Sequence, residues 1–213
     1  METGEIMNWK KGTWVVAVGG MLGALLLNSG CQKNEPAVGQ VRNPQGTVSA
    51  KFAVTSAFAD VKDQAPLAVG GAVRTGKSSS AELVFDSKGQ ISLKPESFFE
   101  VRLGQTVGRQ EGGTAIYRFQ KQKEEIKIET PQGVTSVLGT VFLLKIEDEA
   151  TTVVVDEGKV AFVNLSGEQA VVSAKEKLVA KAGGKLPPPE PLDPMTRNSF
   201  FGSDNKTPLF NQH

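Results

Sequence analysis

Ser80-Ala81-Glu82-Leu83-Val84-Phe85-Asp86-Ser87-Lys88-Gly89-Gln90-Ile91-Ser92-Leu93-Lys94 is the stretch that decides the fold. Ala81, Leu83 and Phe85 alternate with Glu82, Val84 and Asp86, and beyond Gly89 the residues Ile91 and Leu93 alternate with Ser92 and Lys94. A period of two places the apolar side chains on one face of a strand, and Asp-Ser-Lys-Gly supplies turn residues between the two runs. The pattern predicts two half-buried strands joined by a tight turn. Outward from here the alternation continues at Val48, Ala50, Phe52 and Val54, at Phe99, Val101 and Leu103, and at Ile126 and Ile128 between charged neighbours. The longer apolar run from Val137 to Ile146 predicts a strand buried on both faces. Turn residues punctuate the region at Gly104, Glu111-Gly112-Gly113, Pro131-Gln132-Gly133, Asp156-Glu157-Gly158 and Ser166-Gly167. Apolar residues do not recur at helical spacing between Ser80 and Ala182, and at most one short helix is expected around 57–64. An all-β domain over 46–184 follows.

Composition narrows the chemistry. Lys plus Arg number 24 and Asp plus Glu 23, for a net charge of +1, so no broad field draws in nucleic acid and no nucleic-acid partner is expected. One cysteine allows no internal disulfide. The one histidine, His213, is the last residue, which leaves Ser-His and Cys-His pairs without a base on the domain. Metal sites would rest on carboxylates alone, and Glu147-Asp148-Glu149 lacks the ligand spacing of a calcium loop, so it reads as a solvated hairpin turn. Gly71-Ala72-Val73-Arg74-Thr75-Gly76-Lys77-Ser78 does satisfy the phosphate-loop pattern, and Val153-Val154-Val155-Asp156 resembles the acid-tipped strand that accompanies it. That chemistry needs a helix starting at Lys77 to aim its amides at phosphates, whereas Asp86-Ser87-Lys88-Gly89 stops any helix within about two turns. The nucleotide-hydrolase reading is kept as a minor alternative. No enzyme, cofactor or metal is expected.

Both ends differ in character from the middle. Lys10 and Lys11 precede the 14 apolar residues from Trp14 to Leu27, and Ser29-Gly30 lead into Cys31. That is the layout of a secretory signal over 1–30, shorter than the ~18 apolar residues of a spanning helix. Glu2 and Glu5 sit ahead of Met7, a second possible start. The segment resembles a bacterial lipoprotein lipobox, with Asn28 where leucine is usual, and implies Cys31 as the lipid attachment site. An uncleaved anchor or a leader cut elsewhere are the alternatives. Gln32, in place of the aspartate that resembles an inner-membrane retention signal, implies the outer membrane, facing the periplasm. Residues 31–45, with Asn34, Pro36, Gly39, Asn43 and Pro44, suit a flexible tether. Pro187-Pro188-Pro189, Pro191 and Pro194 mark 185–213 as a disordered proline-rich tail, unless its aromatic residues dock on the domain or a partner.

Val73-Arg74-Thr75-Gly76, Ser80-Ala81-Glu82-Leu83, Ile91-Ser92-Leu93 with Pro95, and Phe99-Glu100-Val101 resemble the opening of the FecR-like domain. Thr130-Pro131-Gln132-Gly133, Leu138-Gly139-Thr140-Val141-Phe142 and Val155-Asp156-Glu157-Gly158-Lys159-Val160 resemble its second half, and Leu178 with 180–183 its closing strand. The resemblance implies an all-β envelope domain of stacked short strands in a solenoid-like or sandwich arrangement, and in the namesake proteins a relay from an outer-membrane receptor to a cytoplasmic sigma factor. Few residues precede the apolar segment here, and a short tail stands where the relay proteins carry a further domain. The expectation is a lipid-anchored binding or scaffolding module whose partner is an envelope protein or glycan, with a signalling regulator as the alternative. Arg102, Arg109 and Arg118 are candidates for its binding face, equally explained as solubility charges.

Overall fold

The computed structural model describes residues 35–85, 89–102 and 104–202. The strands are β1 (Gly39–Gln45), β2 (Val48–Lys51), β3 (Ala59–Asp60), β4 (Ala65–Leu67), β5 (Ala72–Thr75), β6 (Ser80–Phe85), β7 (Gly89–Leu93), β8 (Phe98–Val101) and β9 (Thr106–Phe119). They continue as β10 (Ile126–Thr130), β11 (Gly133–Val137), β12 (Val141–Glu147), β13 (Ala150–Glu157), β14 (Lys159–Asn164), β15 (Gln169–Ser173), β16 (Glu176–Lys181) and β17 (Glu190–Pro191), followed by helix α1 (Pro194–Phe201). The opening stretch forms a hairpin, with Ala81, Leu83 and Phe85 of β6 opposite Leu93, Ile91 and Gly89 of β7.

Pairing sorts the strands into two layers. One runs β4-β1-β6-β7-β9-β12-β13-β16-β17. The other runs β3-β2-β5-β8-β9-β10-β11-β14-β15. β9 belongs to both, pairing with β8 through Gly108–Gly112 and with β12 from Gly113 onward. Alternation sends one face of each layer into a shared core. Leu83, Ile91, Tyr117, Phe142 and Val153 from the first layer join Val73, Phe99, Ile128, Val160 and Phe162 from the second. Aromatic rings run through its centre: Phe85 lies 6.4 Å from Phe99, Phe99 6.5 Å from Tyr117, and Tyr117 stacks on Phe142 at 4.8 Å.

The fold is an internal repeat. In the first half β1 pairs with β6, β2 with β5, β5 with β8, β6 with β7, β8 with the start of β9, and β7 with its end, all antiparallel. In the second half the end of β9 pairs with β12, β10 with β11, β11 with β14, β12 with β13, β14 with β15, and β13 with β16, again all antiparallel. The halves join where β10 lies parallel to the start of β9. Matching turns are pinned by matching threonines: the Thr75 hydroxyl donates to Lys94 O at 2.6 Å, and the Thr140 hydroxyl to Lys159 O at 3.1 Å.

The all-β architecture is what the alternation predicts, and several boundaries differ from the sequence reading. The tether ends sooner, since Gly39–Gln45 form β1. Around 57–64 the chain forms β3 and loops, not a helix. The run 137–146 is broken by a turn at 138–140, and its doubly buried part is β12. The tail is not disordered over 185–202: β17 pairs with β16, Leu186 packs on the core and α1 closes the described chain. The physical reason is that one face of β12 and β13 is apolar on the outside as well, and the tail covers it. The signal segment, Cys31 and residues 203–213 lie outside the described residues.

β9 turns from one layer to the other at Gly112-Gly113. Gly113 has φ of 74°, and a Cβ there would meet Glu96 O and Ser97 Cα at 2.5 Å, while a Cβ on Gly112 would meet nothing within 4 Å. Gly113→Ala is expected to lower stability by about 1–3 kcal/mol and Gly112→Ala by well under that, as read by urea denaturation of the two variants; equal losses would place the strain elsewhere.

Candidate functional site

The phosphate-loop pattern folds as a turn. Gly76 N–H donates to Thr47 O at 2.9 Å, Thr47 N–H to Ser79 Oγ at 2.9 Å, and Ser79 Oγ to Lys77 O at 2.9 Å. Ser78 takes a positive φ of 51°, and from Ser80 the chain is β6, a strand. The loop's polar groups are turned inward to hold β2 and β6 together, and no helix begins at Lys77 to gather phosphate oxygens.

Asp156, the acid of the companion motif, is engaged in a different way. It ends β13 with its side chain fully buried, on the same face as Val154. Arg197 of α1 grips it with both forks, Nε to Oδ1 at 2.6 Å and Nη2 to Oδ2 at 3.0 Å, and Lys175 Nζ bonds Oδ1 from the turn before β16. Burial pushes the carboxyl pKa up, but the hydrogen bonds from Arg197 and Lys175 outweigh it and hold the group below the ordinary aspartate value. Planar, two-pronged pairing of this kind fixes orientation as well as charge.

The grip fastens the C-terminal arm over the outer face of the first layer. Leu192 N–H donates to Lys175 O at 2.8 Å, and β17 pairs with Glu176 and Lys177 of β16. Asp193 caps α1, its carboxylate accepting from Thr196 N–H at 2.9 Å, with Pro194 at the first helical position. Leu192 and Phe201 then close over Ile116, Val141, Leu143 and Val154. Burying two such side chains contributes about 1.5–3 kcal/mol each.

The three candidate arginines do not converge. Arg102 pairs with Glu100 at 3.1 Å and Arg109 with Glu111 at 3.2 Å on the second layer, where Arg109 also stands opposite Glu129 of β10. Arg118 belongs to the first layer, half-buried, donating to Ser92 Oγ at 3.3 Å. Burial lowers its pKa, opposed by Glu82 and Asp156. Such exposed pairs are worth about 0–1 kcal/mol each, and they neutralise the face that carries them.

Sequence reasoning missed the Asp156 clasp. Asp193-Pro194 is a legible helix start, but Arg197 stands 41 residues from its partner, and nothing local couples them. Among the described residues no group of carboxylates is arranged to hold a metal ion, and no helix is long and apolar enough to cross a membrane.

With the geometry in place, comparison with known proteins adds family and fold. Residues 71–161 match the model of the family described as FecR protein, from the β5 strand into β14. Two crystal structures from Parabacteroides distasonis, at 1.65 and 2.50 Å, each named as a candidate anti-sigma factor, share the fold with TM-scores of 0.53 at 16% identity. The likeness covers 62% of this chain and 65% and 64% of those chains, in each case under two thirds. No curated protein matches the sequence.

Arg197→Ala is expected to free the arm. Amide hydrogen exchange over 194–202 should quicken tenfold or more, about 1.4 kcal/mol, with little change in β6 and β7; unchanged exchange would mean that the apolar contacts alone hold it. The pH dependence has a definite sign. Because the folded pKa of Asp156 is depressed, its contribution is complete above the unfolded value of about 3.9 and drains away as pH falls through the folded one. The arm should stay closed from pH 7 to 5 and loosen only in stronger acid.

Proposed function

We propose that this protein is an exported lipoprotein, anchored through Cys31 and carrying a FecR-like β-domain that binds or scaffolds an envelope partner without catalysis. The observation that carries the reading is the family match over 71–161 on a domain whose nucleotide-site motifs are both spent on internal contacts, at Ser79 and at Asp156. The leader, with its lysines, apolar run and Ser29-Gly30-Cys31, supports export and the lipid. Gln32 after the cysteine supports the outer membrane, with the domain in the periplasm. The self-neutralised charges of the second layer favour a partner recognised by shape and backbone over one drawn in by field.

A second reading, an envelope regulator of sigma-factor activity, is favoured by the fold shared with the candidate anti-sigma factors. It differs in its consequence: deleting the gene would change a defined set of transcripts, whereas a scaffold would lose only its partner's assembly.

Two experiments test the main reading. Cells fed an alkyne-tagged fatty acid should label the protein, and Cys31→Ser should abolish the label and move the protein from the membrane fraction; a labelled Cys31→Ser would refute the anchor. Crosslinking in intact cells, followed by capture from detergent-solubilised membranes, should recover a specific envelope component. Recovery of nothing beyond what a scrambled control yields would remove the protein-partner reading and leave glycan as the ligand class to test.

A further inference from the structure

Each layer of the repeat has two ends, and three of the four are closed. β3 pairs with β2, β4 pairs with β1, and β17 pairs with β16. These caps are two or three residues long, and β4 and β17 carry Pro66 and Pro191, which is how sheets blunt their edges. The fourth end is β15, five residues without proline, paired only with β14.

The hydrogen-bond phase shows what that edge offers. Asn164 N–H donates to Glu168 O at 2.9 Å, so the bonded pairs that follow are Phe162 with Ala170 and Val160 with Val172. Gln169, Val171 and Ser173 therefore turn their backbone groups outward. The Ser173 N–H is taken by Glu176 Oε2 at 2.7 Å, while Gln169 and Val171 have no backbone partner on that side among the described residues.

The repeat itself identifies what fits there. β15 occupies in the second half the place that the start of β9 occupies in the first, and on that stretch of β9 lies β10, parallel, with Lys127, Ile128 and Glu129 beside Thr106, Gly108 and Arg109. β10 buries Ile126 and Ile128 in the core and turns Lys127 and Glu129 outward. At β15 the corresponding place holds no strand among the described residues.

We propose that the edge of β15 is the docking site for an extended segment of a partner protein, added parallel to β15 as β10 is added to β9. The segment alternates β-branched apolar residues toward the core with charged residues outward, as β10 does. Main-chain bonds supply affinity and the alternate side chains specificity. This deepens the binding-module reading and rests on it.

The test uses the full-length protein in detergent and a fluorescent peptide of this chain's own 124–131, Glu-Glu-Ile-Lys-Ile-Glu-Thr-Pro. Anisotropy should show saturable binding, weakened tenfold or more by Val171→Pro, which removes only an outward N–H and is tolerated on an edge. Should Val171→Pro not fold, judged by its thermal midpoint, Gln169→Pro makes the same test at the neighbouring outward N–H. No saturation by about 1 mM peptide, or binding indifferent to these substitutions, would overturn the proposal. So would self-association that the substitutions abolish and the peptide does not compete, which would give the edge to a second copy. An envelope partner captured equally well by wild type and Val171→Pro would sink the site and leave the module reading standing.

Discussion

The structure depends on a single strand changing layers. β9 serves the second layer up to Gly112 and the first from Gly113, and at the crossing its carbonyls leave the ladder while still enclosed. Gln110, fully buried, answers that deficit: its Nε2 donates to Gly113 O at 3.0 Å and lies 3.4 Å from both Gly112 O and Leu144 O. Its Oε1 accepts from Tyr117 Oη at 2.7 Å, seven residues on and in the other layer. One amide thus satisfies the bend and ties it to the aromatic centre of the core. A buried network is stabilising only when every member is paired, and this one closes on itself. Burial also drives the Tyr117 pKa far up, so the phenol stays a donor at any physiological pH.

Once β9 has crossed, the second half has little freedom. Its end becomes the first strand of the next repeat, and each later strand finds the partner that its counterpart found before. Such an array buries its faces by stacking and leaves edges only at its ends, so the terminal strands carry the whole burden of stopping propagation. The insertion between β2 and β5 supplies two of the stops and the C-terminal arm a third. β4 and β17 offer little to a further strand because Pro66 and Pro191 lack a donor, and β3 is only two residues long.

What the sequence made legible is what a period of two can encode. Strands such as β6, β7 and β10 follow the alternation closely, and the turn after β10 sits at Pro131-Gln132, where the sequence predicts one. The repeat was hidden because only the pairing recurs: Arg74-Thr75-Gly76 and Leu138-Gly139-Thr140 do the same work with different residues. The arm was hidden for a different reason. Proline runs exclude regular ladders, so composition alone reads them as unstructured, yet Leu192 and Phe201 needed only an apolar face to cover. Two-sided burial of β12, by contrast, was legible in its apolar residues Val141 to Leu144, although not what lay on its second side.

Asp156 shows why a motif has to be read with its surroundings. An acid at the end of an apolar strand is a metal ligand where it faces a cleft and water, and a liability where it faces an apolar layer. Here its neighbours on that face are Val154, Leu143 and Val141, surroundings that would raise the cost of any charge left alone. The chain resolves this by bringing Arg197 from the arm and Lys175 from the turn before β16 to it, so the buried charge is fully compensated when the arm is closed. The carboxylate is therefore less a source of stability than a specification: it accepts one placement of α1, the one in which a planar guanidinium meets both oxygens. The apolar contacts set how firmly the arm is held, and Asp156 sets where.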